Sequence, residues 1–254
     1  MLIPRVIPCL LLKDLGLVKS IRFKDYRYIG DPMNTVRIFN AKEADELIFL
    51  DILATKEKRK IQIDLIRKIG DEAYMPFSVG GRIDSLSGIK EVLNAGAEKV
   101  CINSYALKRP EFIREASDTF GSSTIVVSID VKLNFLNKKY VFDHSVSKIT
   151  NIDPVEYAKL MEKMGAGEII INSVDKDGMM SGYDIELTRG VSDAVGIPVI
   201  ALGGAGKLED FKSAVDDGHA SAIAAGSMFI YHGPRKAVLI NYPAKNELKS
   251  LFNI

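Results

Sequence analysis

The chain has 254 residues, of which 47% are hydrophobic and 26% charged, and 34 Lys+Arg against 33 Asp+Glu leave a formal net charge of +1. Near-neutrality excludes a field strong enough to collect nucleic acid or an anionic membrane, so any basic site must be local. Cys9 and Cys101 are too few for a disulfide framework, and both sit in apolar runs, which reads as buried reduced thiols in a cytoplasmic protein.

Taken in order, Arg5–Leu12 reads as a first strand; its apolar part, Val6–Leu12, contains Pro8 and is too short for a signal core or a membrane span. A polar loop carrying Lys13, Lys19, Arg22, Lys24 and Arg27 follows, and Asp31-Pro32 opens a helix, with Asp as cap and Pro at the first helical position. Glu46–Ile52 is the second strand, Lys56–Asp71 an amphipathic helix, Met75–Val79 the third strand, Leu86–Asn94 a helix, Lys99–Asn103 the fourth strand and Pro110–Ser117 a helix. Thr124–Asp130 is the fifth strand, and the insert at about 131–151 alternates around Asn137-Lys138 as a small hairpin. Asp153-Pro154-Val155-Glu156 supplies a cap, a first-turn Pro and a capping-box Glu. Glu168–Ser173 is the sixth strand, followed by a helix reaching about Val195; Ile197–Ser227 holds the seventh and eighth strands.

Near-continuously apolar strands, each followed by a helix, require parallel pairing covered by helices. Eight of them predict a closed (β/α)₈ TIM barrel spanning 1–254 as a single domain; a doubly wound sheet is the alternative, though eight strands would make it unusually wide. The two halves echo each other. Ala44-Asp45-Glu46-Leu47-Ile48 resembles Ala166-Gly167-Glu168-Ile169-Ile170, and Pro76–Ser104 repeats the order of Pro198–Ser227: apolar run, Gly-Gly, helix, apolar run, Ser. Glycines just past a strand let backbone N–H groups approach an anion. Each half therefore offers one phosphate cradle, and the implied ligand has a phosphate at each end; plain strand–helix turns are the simpler reading.

Function in such a barrel sits where the strands end. Candidates there are Asp51, Ser78, Asn103, Asp130, Asn172, Asp175, Asp177 and Ser227, and Asp130, a carboxylate closing an apolar strand, must face the mouth or suffer a large desolvation cost. In the half-repeat its partner falls near residue 11, where the chain reads Leu10-Leu11-Leu12. Because residues two apart share a strand face, the inward series are Arg5/Ile7/Cys9/Leu11, Glu46/Ile48/Leu50, Lys99/Cys101/Asn103 and Glu168/Ile170/Asn172. Each begins with a charge at the barrel floor and continues apolar. His144, His219 and His232 are scattered without ligand spacing, so neither a metal site nor a cofactor is predicted.

The motifs Ile7-Pro8-Cys9, Gly30-Asp31-Pro32, Ala44-Asp45-Glu46-Leu47, Leu50-Asp51-Ile52, Asp175-Lys176-Asp177-Gly178, Gly182-Tyr183-Asp184 and Gly203-Gly204-Ala205-Gly206, taken together over nearly the whole length, resemble the cyclase subunit of imidazole glycerol phosphate synthase. The resemblance implies a glutaminase partner docked on the barrel's N-terminal face, ammonia crossing the barrel, and a doubly phosphorylated substrate worked on by two aspartates. Carried over, the strand-five aspartate is Asp130, whereas Leu11 replaces the strand-one aspartate. One phosphate cradle becomes Gly81, Arg82, Asn103 and Ser104, the other Gly178, Gly203, Gly204, Ala225 and Gly226. Arg82 stands where the family usually has glycine, and could pair with an anion or block the site. Arg5, Glu46, Lys99 and Glu168 correspond to the family's ammonia gate, although such a ring could be a mere ion-pair plug, and Glu98 and Lys99 would meet the glutaminase.

A positioned acid or base is worth roughly 10²–10⁴-fold, so the loss at Leu11 predicts little ordinary cyclase activity unless the loop residue Asp14 substitutes. The Leu-Leu-Leu strand end and the Tyr231–Pro243 segment resemble the paralogues of surface-polysaccharide clusters, which supply ammonia to convert a sugar acetamido group into an acetamidino group; a surface helix and edge strand is the plain reading of that segment. Three functions follow from the resemblance: an ammonia-relaying synthase subunit of a glutamine amidotransferase, with a third ATP-dependent amidotransferase subunit as a further partner; an authentic cyclase; or a silent scaffold that activates the glutaminase.

Overall fold

The computed structural model describes residues 3–254. Eight parallel strands close into a barrel. In chain order the strands are β1 (Arg5–Lys13), β2 (Gly16–Ile21), β3 (Lys24–Gly30), β4 (Leu47–Asp51), β5 (Phe77–Gly80), β6 (Lys99–Ile102), β7 (Ile125–Leu133), β8 (Lys139–Asp143), β9 (Lys148–Ile149), β10 (Glu168–Ser173), β11 (Val199–Leu202) and β12 (Ala222–Ala225). The staves run β1, β4, β5, β6, β7, β10, β11, β12, and β12 returns to β1 with Arg5 opposite Ala222. Asn172 pairs with Asp130 in the β10–β7 register, which holds the fifth and sixth staves level at their C-terminal ends.

The strand faces divide the core in two. Outward residues such as Val6, Leu10, Phe49, Val79 and Ile129 pack under the helices, while Ile7, Cys9, Ile48, Cys101, Val126 and Ile170 form a separate cluster inside the barrel, with Leu11 and Leu50 against it. This is the alternation the strand series predicted. Asp31 caps the helix Pro32–Ala41 by accepting from the Asn34 amide at 3.0 Å, and Asp153 caps Pro154–Lys163. The reciprocal half of a capping box does not form there: the Glu156 carboxylate pairs instead with Lys159 at 2.8 Å.

Three local expectations change. The polar loop after the first strand is a β-hairpin, β2–β3, whose Leu17 and Val18 are buried and whose Val18 pairs with Leu11 on an extension of β1. The helix expected from Lys56 begins only at Ile63, because Lys58 takes a left-handed φ of 53° and Arg59 is drawn back onto Asp51. The Tyr231–Pro243 segment, read plainly as a helix and edge strand, forms a two-residue antiparallel pairing, Tyr231–His232 with Ala237–Val238. It is anchored by the buried Tyr242, whose hydroxyl donates to the Val6 carbonyl at 2.8 Å and accepts from the Asp45 amide. The insert after the fifth stave is the hairpin expected, β7 turning at Asn137 (φ 57°) into β8 and then β9.

Candidate active site at the barrel mouth

At the floor, four charges from four staves close a ring. Arg5 donates to Glu46 at 2.5 Å and to Glu168 at 2.8 Å, and Lys99 approaches the same two carboxylates at 3.4 and 3.1 Å. Glu46 also accepts from Ser78 Oγ at 2.9 Å, so Ser78, a mouth candidate in the sequence, belongs to the floor. The even count of cations and anions is what allows Glu46 to be 2% exposed, since a lone buried carboxylate would be far costlier than this paired one. Arg5, desolvated by burial yet held by the two carboxylates, is shifted above its ordinary pKa. Glu98 lies exposed beside the ring.

Above the ring the interior is apolar up to a cavity of about 610 Å³ at the C-terminal ends of the staves. Both cysteines are free and buried within this interior. Burial pushes the Cys9 thiol up to about 12 and raises Cys101 as well, so neither is a nucleophile at neutral pH.

Asp130 stands on β7 at the base of the cavity, buried, and accepts from Asn103 Nδ2 at 2.8 Å and Asn172 Nδ2 at 2.9 Å. Desolvation raises its pKa; the Asn172 hydrogen bond, His144 and the Asn103 hydrogen bond act in the opposite sense. Leu11 lines the same cavity from β1, four staves away around the barrel and therefore across from Asp130. Asp14 is not among the cavity-lining residues: it occupies the exposed turn between β1 and β2 with φ 55°, and its carbonyl accepts from Gln62.

Gly81, Arg82, Asn103 and Ser104 all line the cavity on one side. Gly81 has φ 142° and packs against Asp51, whose carboxylate is taken up by Arg59 at 2.6 and 3.0 Å and by the Leu53 and Ala54 amides. Arg82 adopts φ 46°, a left-handed backbone that suits glycine better, and its Nε donates to Asp84 at 3.0 Å rather than reaching across the mouth.

The second glycine set is not gathered on this cavity. Gly226 lines it, but Gly178, Gly203, Gly204 and Ala225 do not. The β2–β3 hairpin closes over two of the set, the Ser20 carbonyl lying against Gly178 and Lys19 lying against Gly226 and donating to the Cys9 carbonyl at 2.5 Å, while Gly203 packs on Asn172 and Ser173 and Gly204 on Gly182. Gly204 in turn accepts from the Gly182 amide. Lys19, which the sequence placed in a polar loop where it could reach a substrate phosphate or simply be solvated, is thus fully buried, and desolvation lowers its pKa. Asp177 faces it, accepts from Ser20 Oγ at 3.1 Å, and is raised by burial. Asp175 braces the β7 extension by accepting from the Leu133 amide at 2.8 Å.

One cavity group was missed in the sequence. His144, at the end of β8, lines the mouth, stacks edge-on against Phe23 of the β2–β3 turn with ring centroids 5.6 Å apart, and keeps a buried Nδ1 without a hydrogen-bond partner among the described residues. Only its place after an apolar alternation in the insert hinted at an inward ring. Among the described residues there is no cluster of three metal-binding side chains, and no helix is long and apolar enough to cross a membrane.

Residues 5–234 match the family model described as histidine biosynthesis protein. The chain is 44% identical over 253 residues to a Leptospira interrogans protein provisionally named imidazole glycerol phosphate synthase subunit HisF, covering 99% of this chain and 100% of that one. It is also 44% identical over 244 residues to a Pseudomonas aeruginosa protein provisionally named subunit hisF2, covering 96% and 97%. A closed eight-stave barrel, an aspartate at the end of its fifth stave and likeness along the full length lead to one conclusion: the chain belongs to the HisF-like family of histidine-biosynthesis barrels.

Proposed function

We propose that this chain is the synthase subunit of a glutamine-dependent amidotransferase, receiving ammonia from a partner glutaminase at the floor and passing it through the barrel to the mouth. The observation that carries this reading is the charged ring of Arg5, Glu46, Lys99 and Glu168 closing one end of an apolar interior whose other end is the cavity with Asp130. Neutral ammonia crosses such an interior at small cost, whereas ammonium and other ions would have to be desolvated. Glu98 and Lys99 lie on the face that the glutaminase would cover. Gly81, Arg82, Asn103 and Ser104 together on one side of the cavity support an anionic ligand there, and the free, buried thiols support a cytoplasmic setting.

Leu11 across from Asp130 supports an acceptor other than the doubly phosphorylated cyclase substrate: a cell-surface sugar whose acetamido group becomes acetamidino, with a third ATP-dependent subunit activating it. The second reading, an authentic cyclase, is favoured by Asp130 with its two amide donors and by the names of the 44%-identical relatives. Two measurements separate them. Co-purification with a glutaminase whose glutamine hydrolysis rises in the complex supports the amidotransferase; failure of both sinks it. Ammonium-driven turnover of the doubly phosphorylated substrate decides the acceptor: the sugar reading expects slow turnover that Leu11→Asp accelerates by roughly 10²-fold or more, and fast turnover by the wild type would favour the cyclase.

A further inference from the structure

Charge is distributed unevenly around the cavity. Lys56, Lys58, Arg82 and Lys108 line it from the segments that follow β4, β5 and β6, three consecutive staves. The cations of these segments sort by position. Lys60 pairs with Glu91, Arg59 with Asp51 and Glu57, and Arg109 with Glu115, and none of the three lines the cavity. Lys56, Lys58 and Lys108 do line it, and they form no salt bridge among the described residues. Lysines that were merely solvated have no reason to divide in this way. Arg82 adds a fourth cation on a left-handed backbone, φ 46°, and residues held in such conformations cluster at ligand clamps. Asp84 takes its Nε, and its two terminal nitrogens have no hydrogen-bond partner among the described residues.

The opposite side has no comparable row. Lys19 donates to the Cys9 carbonyl with Asp177 close by, and of the second glycine set only Gly226 reaches the cavity. Phe23 and Tyr26 of the β2–β3 hairpin and Val146 of the insert give that side aromatic and apolar surface instead. The hairpin is held there by the Arg22 amide, which donates to the Asp177 carbonyl at 3.0 Å.

We propose that the mouth binds a sugar joined through a diphosphate ester, anionic at one end only. The diphosphate lies on the row of Lys56, Lys58, Arg82 and Lys108, and the uncharged sugar lies toward Phe23 and Tyr26. The inference rests on the reading of a sugar acceptor and names its anionic handle. Neighbouring strands lie about 4.8 Å apart, so segments from three staves spread the row over roughly 10 Å. That spread suits two linked phosphates better than one. An aromatic wall with a few placed polar groups is the usual lining of a small-molecule site. Between the two sides the sugar sits over the apolar interior that ends at Leu11 and Leu50, where ammonia would emerge.

The test is calorimetric binding to the full chain, with no glutaminase present. The probes are uridine diphosphate N-acetylglucosamine, a short-prenyl diphosphate N-acetylglucosamine, the matching sugar monophosphate, inorganic diphosphate and the doubly phosphorylated family substrate. One diphosphate sugar binds at least about 10-fold more tightly than the last three probes, and which one it is identifies the group beyond the diphosphate. Its affinity falls as salt rises. Lys58→Gln and Lys108→Gln each weaken it about 3–10-fold. Arg82→Gly weakens it about 10-fold without lowering the melting temperature, because glycine accepts the left-handed backbone. Equal binding of the monophosphate or of inorganic diphosphate, or indifference to all three substitutions, overturns the proposal. Tight binding of the doubly phosphorylated substrate with neither diphosphate sugar bound sinks the sugar acceptor itself, whereas a sugar monophosphate bound as tightly sinks only the diphosphate row.

Discussion

Removing Glu46 tests the floor ring most directly. Its carboxylate is buried, accepts from Arg5, Lys99 and Ser78, and shares both cations with Glu168. Deleting one partner of a buried ion pair costs about 3–5 kcal/mol. Here Arg5 is a third exposed and both cations keep Glu168, so the penalty for Glu46→Ala is smaller, ~2–3 kcal/mol. At about 2–4 °C per kcal/mol for a chain of this size, the melting temperature falls by ~4–12 °C. Glu46→Gln keeps the volume and the Ser78 hydrogen bond, so comparing the two separates charge from packing. The assay is urea unfolding at pH 7 with and without 0.5 M salt, alongside product formed from glutamine and from ammonium salt. The ring reasoning also expects glutamine-driven product to fall more than ammonium-driven product, because ammonia delivered at a damaged floor escapes. A loss below ~0.5 kcal/mol would show that the four charges are solvated rather than mutually dependent, and an equal fall in both product yields would remove the gate.

Other outcomes follow from single sites. Burial raises the Asp130 pKa in the folded chain, so the native state binds a proton more readily than the unfolded state and stability declines as pH rises from the ordinary carboxylate range through the raised value. Asp130→Asn therefore raises the urea midpoint at pH 7 and flattens its pH dependence above the ordinary carboxylate range; a lowered midpoint would refute this. With its thiol at about 12, Cys9 has a thiolate fraction of about 10⁻⁴ at pH 8, so iodoacetamide leaves it unmodified in the native chain and alkylates it in urea. Tyr242→Phe orphans the Val6 carbonyl and the Asp45 amide and costs about 1–3 kcal/mol, read from chemical unfolding; no change would show that the C-terminal segment does not anchor the first stave.

The residues that the sequence placed well are those whose physics is local. A strand buried on both faces has to be an apolar run, and side chains two apart have to share a face, so Arg5, Ile7, Cys9 and Leu11 could be aligned inward from their order alone, and likewise Glu46 and Glu168 set against Arg5. Asp31 and Asp153 were equally readable, because a cap and its helix lie within four residues. The β2–β3 hairpin was not. Its strands alternate weakly and carry exposed Lys24, Asp25 and Arg27, so only pairing with β1 and the cover it provides for Leu17 and Val18 make it a sheet. The same hairpin buries Lys19, which the sequence placed in a polar loop, and packs it against Gly226 with Ser20 against Gly178.

What the chain order determined by itself was the barrel, its inward faces, the floor charges and the Asp130–Leu11 contrast, since each follows from periodicity, or from residue type at a strand end. Tertiary structure alone decided which of those groups meet. Asp130, His144, Asn172 and Phe23 come from the fifth stave, the insert, the sixth stave and the first hairpin, and their proximity depends on staves far apart in sequence closing into one cylinder, which no local pattern records.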